Sequence, residues 1–74
     1  MLLIGALRVS YYTIAVHFAG EPRPRRVESL ETAQQVLAEI PLLLLEYPDC
    51  ERMIVMAGTT LLFSVDGEGN KLPD

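Results

Sequence analysis

SLETAQQVLAEIPLLLLEY, residues 29 to 47, holds the one long helical period in the chain and therefore decides what the rest must pack against. Leu30, Ala33, Leu37, Ile40 and Leu44 recur at steps of three and four. Val36 and Leu43 widen this stripe, while Glu31, Gln34, Gln35 and Glu39 point away from it. Ser29 reads as the N-cap, since its hydroxyl can accept from an amide of the first turn, and Glu31 sits where the helix dipole favours negative charge. In this register Leu37 and Ile40 belong to the core. Pro41 has no N–H to donate and its ring crowds the carbonyl of Leu37, so the helix is expected to kink there or to restart with Pro41 in its first turn. Tyr47, standing before Pro48, ends it, because a residue preceding proline is pushed out of helical geometry.

The four consecutive leucines, Leu42 to Leu45, exceed what one face can bury. Successive helical residues point about 100° apart, so four in a row spread around most of the circumference and one or two must face away from the sheet. Such local excess of apolar surface reads as an interface, with a patch centred on Leu42, Leu45 and Tyr47.

Upstream, Tyr11 to Phe18 alternates as a strand does, with Tyr12, Ile14, Val16 and Phe18 on one face and Tyr11, Thr13, Ala15 and His17 on the other. Leu7 and Val9 continue the second face, so the strand is expected to begin near Leu7 or Arg8. Gly20, Glu21 and Pro22 break it. Arg23 to Val27 can return as a short segment, which Pro22 and Pro24 restrict to an edge strand or an extended arm. Downstream, Arg52 to Ala57 and Thr60 to Val65 are apolar runs separated by Gly58 and Thr59, which reads as a hairpin. Residues 66–74 have the glycine, asparagine and proline content of a turn and a mobile tail.

These elements define an α+β chain: a small antiparallel sheet in β-(β)-α-β-β order, with one amphipathic, proline-kinked helix on one face, all of residues 1–74 forming a single domain. The second face of the sheet then lacks a cover. It carries Tyr11, Thr13 and His17, together with either Ile54 and Met56 or Met53 and Val55 according to register.

Composition limits the chemistry. A chain of 74 residues buries only roughly 60% of its unfolded surface, so its own core leaves it marginally stable, and half of its residues are hydrophobic. One cysteine, Cys50, excludes an internal disulfide, and Cys50 with the sole histidine, His17, falls short of a four-ligand zinc site. Self-association is the stabilising device that remains. The N-terminal apolar residues before Arg8 are too few to span a membrane and lack the basic leader of a secretory signal, which with an unpaired cysteine points to a reducing, cytoplasmic home. Ten acidic against six basic residues give a net charge of −4, which argues against general nucleic-acid binding.

No residue set forms a catalytic constellation. His17 has Ser10, Ser64, Thr13 and Cys50 as conceivable neighbours, yet no spacing selects any of them. Cys50 lies between Asp49 and Glu51, which disfavour a thiolate. Asp66, Glu68 and Asn70 alternate like the opening of a calcium loop, but Lys71 stands where glycine is required and the closing glutamate is missing. No metal or cofactor is therefore expected. Arg23, Arg25 and Arg26, interleaved with prolines, suit docking to an acidic protein patch better than a nucleic-acid backbone, there being no aromatic residue among them. The expected activity is non-enzymatic protein binding, as a homodimer or docked on a larger protein, through Leu42, Leu45 and Tyr47, with Tyr11, His17 and the three arginines as secondary contacts. Inhibitors and immunity-type proteins of phages or mobile elements, anti-CRISPR-like ones among them, share this size and acidity. An assembly subunit and a minimal ligand-binding module or enzyme built on His17 are the alternatives.

Overall fold

The computed structural model describes residues 11–73. Among these residues four strands, β1 (Tyr12–His17), β2 (Arg26–Leu30), β3 (Arg52–Ala57) and β4 (Thr60–Asp66), and one helix, α1 (Ala33–Glu46), follow in the order β1, β2, α1, β3, β4. They make an antiparallel sheet with spatial order β2-β1-β3-β4. The α+β class and the element order expected from the sequence are both present. The suggested start of β1 at Leu7 or Arg8 lies outside the described residues.

The register sorts the side chains. Ile14 stands opposite Val55 and Val16 opposite Met53, and all four are buried beneath α1 together with Val65. Ile54 pairs with Ala15, and Met56 with Thr13, on the face opposite α1. The ambiguity between those two pairs is thus decided by where β1 aligns. A one-residue slip would exchange the faces entirely.

Two boundaries differ from expectation. The edge strand runs Arg26–Leu30, later than Arg23 to Val27, and Ser29 pairs with Thr13 inside it, so Ser29 does not cap the helix. Thr32 does. Its hydroxyl accepts from the Gln35 amide at 3.1 Å, while the Gln35 side-chain oxygen accepts from the amides of Thr32 at 3.3 Å and Glu31 at 2.9 Å. This reciprocal capping box satisfies more orphan donors than a lone serine would. Ser29 has Thr32 three places on and cannot form one.

The buried stripe is narrower than the sequence period suggests. Val36, Ile40 and Leu43 face the sheet, Leu44 packs partly against the core, and Leu37 is 65% exposed. Ile40 is buried as expected; Leu37 is not. A single helix passes through Pro41 rather than ending and restarting. Its backbone comes near β1 and β2 alone. No helix among the described residues is long and apolar enough to cross a membrane.

Beyond β4 the chain turns back. The Asp66 carboxylate accepts from the amides of Glu68 and Asn70, both at 2.9 Å, and Lys71 then bridges to Val65 as an antiparallel partner.

Candidate protein interface

The helix period that sends Val36, Ile40 and Leu43 inward leaves other leucines wet. Leu42 is 57% exposed and Leu45 is 80% exposed, whereas Leu43 between them is fully buried. Leu37, Pro41 and Leu45 follow one another at four-residue steps along one side of α1, and Ala38 and Leu42 do the same beside them. All five are exposed and uncharged. Glu39 and Glu46 lie on the flank toward β2, where Glu46 meets Arg26. The outward side of α1 is therefore an aliphatic stripe with its charges set to one edge.

Tyr47 does not join that stripe. It is half-buried as the C-cap, its amide donates to the Leu43 carbonyl at 2.7 Å, and its ring meets Phe18 edge-on with centroids 6.0 Å apart. Its hydroxyl accepts from Arg26 at 3.3 Å. Arg26 also donates twice to Glu28, at 3.0 and 2.8 Å, and to Glu46 at 3.3 Å. Tyr47 and Glu28 hold its guanidinium above even its ordinary high pKa. Arg25 pairs with Glu21 and stacks 3.7 Å from the Phe18 ring centroid. Two of the three clustered arginines thus fasten the molecule to itself. Arg23 is exposed and, among the described residues, has no ion-pair partner.

The sheet face opposite α1, which no element among the described residues covers, carries exposed Tyr11, Val27 and Leu61, with Ala15, Ile54 and Met56 half-buried between them. His17 lies at one end of this face opposite Arg52, beside an open cleft that Glu21, Pro22 and Glu51 help to line. Among the described residues no serine, threonine or cysteine hydrogen-bonds to its imidazole. Cys50 is buried, and that burial, with Asp66 and Asp49 nearby, pushes its thiol pKa up. The Asp66 carboxylate spends its lone pairs on backbone amides, which hold its pKa below the usual range. No group of three metal-ligating side chains occurs among the described residues.

Two surface elements escape a reading by composition. Leu37 is exposed because the buried face centres on Val36, Ile40 and Leu43. Leu62 is 44% exposed where the register between β3 and β4 skips it: Val55 faces Phe63 and Met56 faces Leu61. Adjacent leucines in a strand must point to opposite faces, and that was the available signal. Comparisons with protein-family models, with curated proteins and with solved structures give no match.

Proposed function

We propose that this chain is a small, non-enzymatic protein-binding module of the cytoplasm that acts through contact with another protein or with a second copy of itself. The observation that carries this reading is the exposure of Leu42 and Leu45 on a helix whose inner stripe is already satisfied by Val36, Ile40 and Leu43. Covering a leucine is worth roughly 1.5–3 kcal/mol, an amount that matters to a domain this small. Leu37 extends the same surface toward the start of the helix. An acidic chain presenting an uncharged aliphatic stripe suits an inhibitor or immunity-type role, in which a small protein occludes a larger one. Burial and like charges around Cys50, and the absence of a hydrogen-bonded nucleophile beside His17 among the described residues, favour binding over catalysis.

The experiment is sedimentation of the parent chain and of the double variant Leu42→Glu, Leu45→Glu. The reading requires the parent to self-associate, or to capture a protein from its native host that the variant releases while keeping its circular dichroism. A parent that stays monomeric at high concentration, with every partner interaction retained by the folded variant, overturns it.

A further inference from the structure

The two edges of the sheet differ. On β2, Arg26 and Glu28 form an ion pair, and Arg26 also meets Glu46 of α1. On β4, no residue from Thr60 to Val65 is ionisable, and Leu61 and Leu62 are exposed. The C-terminal half of the β4 edge is occupied by the chain itself: Lys71 bridges to Val65, and the Leu72 amide donates to the Ser64 carbonyl at 2.8 Å. Thr60 to Phe63 have no strand on their outer side among the described residues.

A second observation falls at the same place. The skipped residue Leu62 marks a β-bulge, and bulges re-aim side chains at sheet edges. Here Leu62 and Phe63, with Tyr12 and Val55, face Ala33, Val36 and Leu37 of α1 across a pocket of about 250 Å³ whose exposed inner surface is apolar. The backbone of α1 comes near β1 and β2 rather than β3 and β4, which leaves room for a pocket above the buried Val55. It is smaller than the roughly 300–1,000 Å³ of sites that enclose whole small molecules, and suits a side chain.

We propose that the outer edge of β4 from Thr60 to Phe63 takes an extended, uncharged segment of a partner protein as a fifth strand, with one large aliphatic side chain of that segment seated in the pocket beside Leu62. This rests on the protein-binding reading above but uses a different surface from Leu42 and Leu45. The main-chain donors and acceptors of an edge are matched by another extended backbone, and a pocket beside the ladder supplies the choice of side chain. The chain's own tail shows the same edge paired in this way two residues further along. The absence of charge from Thr60 to Val65 and the apolar lining penalise a charged occupant, whose desolvation nothing there would offset.

The test uses the full chain, isotopically labelled, and an acetylated, amidated pentapeptide of threonine, valine, leucine, valine and threonine. The expected result is that amide signals of Thr60 to Phe63 and of Val36 and Leu37 shift on titration, with amide exchange at the β4 edge slowed about tenfold. The same peptide N-methylated at every residue loses binding by at least about tenfold, because it can no longer donate. Absence of shifts, equal binding of the methylated peptide, or shifts centred on Leu42 and Leu45 would each overturn the proposal. So would the same shifts appearing with protein concentration alone, since the edge would then belong to a second copy. Peptide failure alongside a dissociating Leu42, Leu45 variant removes this inference and leaves the helix surface standing.

Discussion

The Tyr47 hydroxyl accepts a hydrogen bond at 3.3 Å from Nη1 of Arg26, so the end of α1 is fastened to the outer strand β2. The same guanidinium meets Glu28 and Glu46, and it therefore joins the strand, the helix end and the cap in one half-exposed cluster. Arg26→Met keeps the stem and removes these links. Its thermal midpoint should fall below that of the parent at low salt, and the gap should narrow as sodium chloride is raised, since exposed ion pairs are screened. A gap independent of salt would assign the effect to packing instead.

Leu43 and Leu37 separate core from surface within one helix. Leu43→Ala should cost about 2–5 kcal/mol, the usual range for a buried large-to-small change. Leu37→Ala, at an exposed site, should stay within about 0.5 kcal/mol. Urea midpoints of the two variants check the helix register. Equal losses would return Leu37 to the core.

At Gly67 any Cβ would overlap the carbonyl oxygen of Cys50. Both groups are backbone, so neither can swing aside as a side chain would. Gly67→Ala should therefore destabilise by about 1–3 kcal/mol through overpacking, read as a lowered denaturation midpoint. An unchanged midpoint would mean that the turn after β4 relaxes freely.

Asp66 titrates below its ordinary range because the amides of Asn70 and Glu68 donate to its charged form. The unfolded chain takes up the proton near the usual aspartate value of about 3.9, before the folded chain does. Its stabilising contribution is thus complete well above that value and is lost as pH falls through the lower folded pKa. The melting-temperature gap between the parent and Asp66→Ala should be open at pH 6 and closing below pH 4. A constant gap would rule out the carboxylate as its source.

The buried Cys50 thiol, with its pKa raised by burial and by Asp66 and Asp49, should react slowly with an aromatic disulfide reagent at pH 8 while the chain is native. Adding denaturant should restore the rate of a free thiol. Rapid reaction of the native protein would place Cys50 at the surface.

Much of the fold is legible from local patterns. The alternation from Tyr12 to Phe18, the glycine at Gly58 between two apolar runs, and the break at Tyr47 and Pro48 all act within a few residues. The errors at Ser29 and Leu37 both concern tertiary placement. Ser29 and Thr32 are both plausible caps, and the choice depends on Gln35 reaching back and on Ser29 finding Thr13 across the sheet. Strand pairing is not a local property. The exposed leucines at 42 and 45 were legible by counting angles around a helix, but the pocket beside Leu62 was not, since it needs both a skipped register and a helix displaced toward β2.

That displacement also shapes how the molecule comes together. β1 with β2, and β3 with β4, are hairpins whose partners are near in sequence, and each can close in microseconds. Only the seam between β1 and β3 joins distant chain, and it must wait for the segment containing α1 to close as a loop. The sheet is two ribbons zipped along one line, and the helix is both the strap between them and, lying over β1 and β2, cargo of the first ribbon.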